Sequence, residues 1–413
     1  MFITIPDEVL HHILSQGQLT RSDIQGCLFG RVLDGGDVVQ ITHVGDADSK
    51  QEPVGFWGAA IDPDRLQVPS TGIRNRILLV LLDLQTIKCY AESPAGWQPV
   101  QFDVLRVHND IYRRLQGLFD TGYLVDKTVS IIGLGTGGGL AALELAKNGV
   151  GHFRLVDFDR LKVHNVARHV CGLSDIGRYK TRALADMLRN TCPHVSVETF
   201  EFNVLEDPEQ LQSVVQGSHL VIGATDSEKS KRAINDVCWP MGIPAVYGAA
   251  YDRAFGGDVV RVIPPTTACY ECFYSQITEM FETAPRKGDL DYTSDVSKAV
   301  AEPGLGIDVA FIGLILTKMA LLTLLRGSES TLEDLPSDFV MWGNRASWVF
   351  EKPLESLFFY ISPNPFCPIC HPEAYALESV GMSREEAREE AQKIMEEVNL
   401  EGTITLPSLV EER

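Results

Sequence analysis

VSIIGLGTGGGLAALELAKNGVGHFRLVDFDRLKVHNVARHV, residues 129–170, followed by GRYK at 177–180, decides the fold of this chain. Val129 to Ile132 is a short β-branched run, as a buried parallel strand requires. Gly133, Gly135 and Gly138 have the GxGxxG spacing and lead into LAALELAKNG, an apolar helical pattern. Glycine at those positions lets backbone N–H groups approach phosphate oxygens, and the start of the helix adds a favourable dipole. On its own this spacing points no further than a nucleotide. Asp157 ends the second strand, where an acid can bind ribose hydroxyls. Asn165, Arg168 and Lys180 then follow within 25 residues of that acid. Hydride transfer has no need of two cations there, whereas phosphoryl or nucleotidyl transfer uses them to neutralise charge.

Outward from this stretch, residues 129–265 alternate strand and helix: VSIIG, FRLVDFD, SVETFEF, LVIGATD, AVYGAA and VVRVIPP are the strands. That is an α/β doubly wound, mostly parallel Rossmann-like sheet with the glycine loop after its first strand. Asp226 in GATDSEKSKRAIND (223–236) follows the strand LVIGAT, at a carboxyl strand end where such folds bind ligands. Asp159 either faces the same place or caps the next turn. EPGLGIDVAFIGLILTKMALLTLLRG (302–327) reads as an apolar helix behind a glycine-rich lead.

Nine cysteines are present, at 27, 89, 171, 192, 238, 269, 272, 367 and 370. An odd count without an export signal argues against a disulfide framework. Cys269-Tyr-Glu-Cys272 and Cys367-Pro-Ile-Cys370 are two C-x₂-C pairs, and four thiolates are what a closed tetrahedral zinc site takes. A thioredoxin-like redox pair is disfavoured because neither pair is expected to open a helix in a βαβ unit.

These elements resemble the adenylating ThiF/MoeB/E1 superfamily, which activates ubiquitin-like proteins. The resemblance spans roughly residues 110–375 and rests on five spaced elements in order: the glycine loop, Asp157-Phe-Asp159, Asn165-Val-Ala-Arg168-His169, Gly177-Arg-Tyr-Lys180, and the turn at Asp226. His169 stands where the family usually has Gln, and Ser227 where it often has Asn. The resemblance implies attack of a C-terminal carboxylate on the α-phosphorus of ATP. Such a carboxylate is already ionised at neutral pH, so positioning and charge neutralisation suffice. It assigns neutralisation to Arg168 and Lys180, Mg²⁺ to Asp226, and ATP contacts to Gly133, Gly135, Gly138, Asp157, Asp159 and Asn165. It makes Zn²⁺ structural on Cys269, Cys272, Cys367 and Cys370. It also implies a homodimer in which Arg113 or Arg114, in IYRRLQGLFDTGYLVDKTV (111–129), reaches the partner's ATP.

Residues 1–105 read as a separate, smaller α/β domain: a helix EVLHHILSQG, then strands GCLFGRVL, DVVQITHV, VGFWGAAIDP, ILLVLLDL, IKCYAES and QPVQFDVL. GCLFG, VGFW and VPS resemble the JAB/MPN fold of metal-dependent deubiquitinases. Its two zinc histidines fall here at Gly58 and Ala60, its Asp near Ile73 and its catalytic Glu near Asp23, so the domain is expected to be inactive. The adenylation domain is expected over 106–375. Residues 376–413 carry a charged helix, SREEAREEAQKIMEEV, and an acidic tail.

Thioester-forming E1 enzymes usually carry a cysteine in the crossover after the first CxxC, yet residues 273–366 contain none. Thr283, Thr293, Ser294 and Ser297 lie there without a recognisable base to activate them. Cys171 is the one thiol close in sequence to the adenylation motifs, and it reads as core, as do Cys192 and Cys238. Either the reaction stops at adenylation, as in MoeB and ThiF, or a natural cysteine has been replaced.

Composition bounds the partners. Of 413 residues 45% are hydrophobic and 22% charged, an ordinary globular balance for two or three domains. A net charge of −20 argues against a general nucleic-acid or anionic-membrane surface. No apolar run is expected to approach the ~18 residues that span a membrane, and MFITIPDEVLHH is no signal peptide, so the chain is expected in the cytoplasm. The expected partners are a ubiquitin-like protein, a second copy and an E2-like protein. Two other functions compete: a MccB-like adenylase acting on a peptide, and a non-catalytic nucleotide- or ubiquitin-like-binding scaffold.

Overall fold

The computed structural model describes residues 1–16, 23–45, 52–59, 76–82, 86–106, 111–192, 194–281, 304–372, 375 and 393. The chain divides into two compact units, Met1–Arg114 and Leu115–Arg413.

The first unit is a mixed eight-stranded sheet with the order β7-β6-β5-β4-β2-β3-β1-β8. Its strands are β1 (Phe2–Pro6), β2 (Asp23–Leu33), β3 (Val38–Gly45), β4 (Gly55–Ala59), β5 (Ile77–Leu81), β6 (Ile87–Ser93), β7 (Gly96–Val100) and β8 (Asp103–Leu105). Helix α1 (Asp7–Gln16) follows β1 directly and turns Val9 and Ile13 inward. The run ILLVL in β5 is apolar throughout because both faces are covered. Ile77, Leu79 and Leu81 join the cluster of Ile3, Ile5 and Ile13, while Leu78 and Val80 join Cys27, Phe29 and Phe56 on the other face. Gly58 lies in β4 and Asp23 opens β2, whereas Ala60 and Ile73 lie outside the described residues.

The second unit is a doubly wound sheet with the order β11-β10-β9-β12-β13-β14-β15-β16. Strands β9 (Thr128–Ile132), β10 (His152–Val156), β11 (Ser196–Phe200), β12 (Leu220–Gly223) and β13 (Ala245–Ala250) are mutually parallel. β14 (Gly256–Val262), β15 (Phe339–Gly343) and β16 (Glu355–Phe359) extend it antiparallel. The six strands expected from the sequence are all present; the last two were not foreseen. β16 alternates half-buried and exposed residues at the sheet edge, which weakens its apolar signal.

Around the sheet lie a one-turn α2 (Gly122–Val125), α3 (Thr136–Lys147), α4 (Lys180–Thr191), α5 (Pro208–Val215), α6 (Glu228–Cys238), α7 (Tyr270–Phe281) and α8 (Gly306–Leu324). α8 corrects one expectation, because it has 19 residues with a window of mean hydropathy 2.0, long and apolar enough to cross a membrane. More than half of that window, 56%, is buried, and Gly313 meets the Cα of Gly137 on α3, so it packs as a core helix. Thr283, Thr293, Ser294, Ser297 and the C-terminal charged helix, Lys393 excepted, lie outside the described residues.

Candidate active site

Strand register builds the site. Ile132 aligns with Val156 on one side and with Gly223 on the other. The residues that follow these strand ends, Gly133, Asp157 and Ala224, are therefore brought side by side. β9 is the strand from which the order runs to β10 one way and β12 the other, which is the switch point where doubly wound sheets open a crevice. A cavity of about 870 Å³ opens there, with walls drawn from the second unit alone.

The glycines divide their work. Gly133 has φ +89°, and a Cβ on it would lie 2.7 Å from the Ala224 carbonyl oxygen. A Cβ on Gly138 would lie 1.9 Å from the Gly133 oxygen, so α3 can start this close to β9 only with glycine there. Gly135 differs: a Cβ would meet nothing within 4 Å, and with Thr136 and Gly137 it lines the cavity at the N-terminus of α3. That is open space beside backbone N–H groups, suited to a phosphate.

Asp157 does not line the cavity; its side chain is 9% exposed and holds the loops. One carboxylate oxygen accepts from the Leu134 N–H at 2.8 Å and the other from the Asp159 N–H at 2.8 Å. Lys180 opens α4, and its Nζ stands 3.1 Å from Asp159 and 3.6 Å from Asp157. It is placed by a zipper of backbone bonds, Leu161 to Arg178, Gly177 to Leu161 and Lys180 to Asp159. Asp159, Asn165, Arg168 and Lys180 all line the cavity. Asn165 builds the turn: its Oδ1 accepts from the Lys162 N–H, and its carbonyl accepts the N–H groups of Arg168 and His169. The Arg168 side chain runs beside Gly306 and Gly304, where a Cβ would come within 3.3 Å of its Cγ and 3.6 Å of its Nη1 respectively.

His169 ties this turn to the glycine loop. The Cys171 N–H can only donate, so Nδ1 accepts it at 3.0 Å, and Nε2–H donates to the Leu134 carbonyl at 2.9 Å. The ring is thereby held neutral. Burial lowers its pKa, the bond to Leu134 opposes that, and the charge of Lys180 lowers it further.

Asp226 lines the cavity after β12, is exposed, and has no hydrogen-bond or ion-pair partner among the described residues. A carboxylate free in this position fits a hard cation. Beyond it lies a group the sequence did not flag. Glu228 receives Lys231 Nζ at 2.7 Å on one oxygen and the Tyr270 hydroxyl at 2.7 Å on the other. Lys231 is only 1% exposed. Asp258, on β14, has its pKa pushed up to about 6 by burial; Lys231 and the nearby Tyr251 hydroxyl oppose the rise and Glu228 adds to it. The one available sequence signal was Glu228 and Lys231 three apart on a helix; nothing local marks Tyr251, Asp258 or Tyr270.

The profile described as the ThiF family matches residues 114–334, more than half of the 413-residue chain. The chain belongs to the ThiF family. The SAMP-activating enzyme E1 of Haloferax volcanii is 35% identical to it over 159 residues, 38% of this chain and 57% of that protein. The molybdopterin-synthase adenylyltransferase of Escherichia coli is 30% identical over 171 residues, 41% of this chain and 68% of that protein. Ubiquitin-like modifier-activating enzyme 5 of Dictyostelium discoideum is 27% identical over 182 residues, 40% of this chain and 48% of that protein. The chain thus spans little more than half the length of the first of these relatives.

The ThiF unit also gathers the two CxxC pairs. Sulfur–sulfur distances are 3.7 Å for Cys269–Cys272, 3.5 Å for Cys269–Cys367 and 3.5 Å for Cys272–Cys370. Four thiolates about 2.3 Å from one tetrahedral ion stand roughly 3.8 Å apart, whereas a disulfide is about 2.05 Å. All four cysteines are free, three are buried, and the Asn364 N–H donates to the Cys272 sulfur at 3.3 Å. The donor set fits a closed metal site. The first pair opens a helix, α7, but that helix lies in the connection between two antiparallel strands, β14 and β15, and not between the parallel strands of a βαβ unit; the second pair at contact distance also speaks against a redox dithiol. The remaining five cysteines are all buried. Cys171 is 1% exposed and burial pushes its pKa up to about 12, which suits packing and not attack on an acyl group. Arg113 and Arg114 fall on the turn Arg113–Leu115, in the first unit, and are not in the cavity lining.

Proposed function

We propose that this chain adenylates the C-terminal carboxylate of a ubiquitin-like protein. The observation that carries the proposal is the convergence of Gly135, Gly137, Arg168, Lys180 and Asp226 on one cavity at the switch point of a ThiF fold. ATP lies with its phosphates over the start of α3. The substrate carboxylate forms a bond to the α-phosphorus as the bond from that phosphorus to the β-phosphate bridging oxygen breaks, giving acyl adenylate and pyrophosphate. Arg168 and Lys180 offset the charge of two colliding anions, and Asp157 and His169 hold the loops that present them. Asp226 holds Mg²⁺, which when bound supplies further neutralisation to the phosphates. Zn²⁺ occupies the four cysteines as a structural ion.

The names of the relatives, among them an E1 and a ubiquitin-like modifier-activating enzyme, support a protein substrate over a peptide. In a homodimer, Arg113 or Arg114 reaches the partner's nucleotide, and exposed Leu305, Ile307 and Leu314 of the α8 region offer apolar surface for such a contact. The first unit is a JAB-like domain without zinc ligands that receives the substrate. An E2-like protein takes up the product, in a cytoplasmic bacterial conjugation or antiphage pathway. Pyrophosphate exchange into ATP tests the reaction. It is driven by a ubiquitin-like protein ending in a free carboxylate, fails with a short peptide, and is lost in Asp226→Ala. Exchange surviving that substitution refutes the assignment of Asp226.

A further inference from the structure

The two CxxC turns are more than a staple at the edge of the ThiF unit. Cys269-Tyr-Glu-Cys272 grips α6 at three places. The Tyr270 hydroxyl donates to Glu228 at 2.7 Å, the Tyr270 N–H donates to Asn235 Oδ1 at 2.9 Å, and Glu271 pairs with Arg232 through bonds of 2.6 and 2.8 Å. Residues 228, 232 and 235 are spaced four and three apart, so they share one face of the helix. Every contact from the metal knuckle therefore falls on the side of α6 that meets it. The Tyr270 ring is 1% exposed and fixed by neighbours, with Tyr247 at 4.4 Å and Phe273 at 5.2 Å between ring centroids. Glu228 is the first residue of α6 and lies two residues after Asp226. Asp226 itself has no protein partner among the described residues, so its position is set by the turn that carries it.

We propose that Tyr270 is a positioning residue for Asp226: its hydroxyl, placed by the cysteine knuckle, holds Glu228 and with it the 224–228 turn on the nucleotide side of the cavity. The inference rests on the reading of Asp226 given above. The metal knuckle then sets the geometry of the cation-binding turn as well as the stability of the fold.

The test uses the full chain and the fluorescent analogue TNP-ATP, titrated with Mg²⁺, so no acyl substrate is required. Tyr270→Phe keeps the ring and its packing and removes only the hydroxyl. The Mg²⁺ concentration for half-maximal binding rises about three- to tenfold, the size expected on losing one charge-assisted bond that fixes a loop. Zinc content stays at the wild-type value, the thermal midpoint falls by only about 2–5 °C, as for one lost hydrogen bond, and amide exchange speeds up across residues 224–228. Glu228→Ala shifts the Mg²⁺ requirement in the same direction. An unchanged Mg²⁺ requirement in Tyr270→Phe overturns the proposal, as does a rise that tracks loss of zinc. If the wild-type protein binds TNP-ATP with no Mg²⁺ dependence, or Asp226→Asn leaves that dependence intact, the nucleotide-site reading fails and takes this inference with it.

Discussion

Replacing His169 separates its role as a tether from its role as a titrating group. In His169→Ala the Leu134 carbonyl loses its donor at 2.9 Å and the Cys171 N–H loses its acceptor at 3.0 Å. Two hydrogen bonds inside a half-buried turn, with part of the desolvation cost of the orphaned groups, come to about 2–4 kcal/mol. At about 2–4 °C per kcal/mol for a domain of this class, the unfolding midpoint falls by roughly 4–16 °C. His169→Gln supplies both a donor and an acceptor and recovers at least half of the loss.

The pH dependence follows from the direction of the shift. The folded pKa is lowered, chiefly by burial, while the unfolded ring titrates near about 6.5. As pH drops below the unfolded value, the unfolded chain takes a proton that the folded ring refuses. The contribution of His169 is therefore intact above about pH 6.5 and declines below it, by at most about 1.4 kcal/mol per pH unit, until the folded ring also protonates. Thermal unfolding from about pH 7.5 to about pH 5.5 measures this in both proteins. Other groups, His219 among them, titrate equally in each and cancel in the difference. A wild-type minus His169→Gln difference that stays flat across the range would falsify the neutral-tautomer assignment.

Gly138→Ala and Gly135→Ala are expected to separate packing from ligand space. The first puts a Cβ 1.9 Å from the Gly133 oxygen and costs both stability and TNP-ATP binding, while the second meets nothing and weakens binding at an unchanged midpoint. Lys180→Ala lowers the rate of pyrophosphate exchange about 10²–10³-fold, as for loss of one preorganised charge at a reacting phosphate, and leaves the overall circular-dichroism spectrum unchanged. Cys272→Ser removes one bound zinc per chain by elemental analysis and lowers the midpoint, since a structural zinc contributes directly to folding. Cys171→Ala has no effect on any ATP-dependent acyl adduct seen by mass spectrometry, because that thiol is buried with a pKa pushed up to about 12. Loss of such an adduct in this variant overturns the reading.

Local pattern made much of the ThiF unit legible. A β-branched run, a glycine loop and an apolar helix are encoded by neighbours in sequence, so β9, α3 and their parallel successors could be read directly. The same holds for each cysteine pair, whose two-residue spacing is that of paired metal ligands. β16 was hidden because an edge strand carries a weaker apolar alternation. β15, FVMWG, is apolar and buried between β14 and β16, but it joins the sheet only after α8, outside the strand–helix alternation that marked its predecessors. In the first unit, β1 lay in a stretch read only for what it was not, an export signal.

The sequence by itself determined the chemistry on offer: a glycine loop before a helix, two cations, an acid at a strand end and four thiols. Which of these groups face the cavity was decided by tertiary structure. Asp157 looked like a ribose contact, yet both its oxygens receive backbone N–H groups, which appears only once the strands are in register. Glu228 meets Tyr270 across 42 residues of chain, and Cys269 meets Cys367 across 98. Contacts at that separation depend on sheet order and helix docking, which no local periodicity records. A local pattern states what a residue can do; the packed sheet decides whether its polar atoms serve the cavity or the fold.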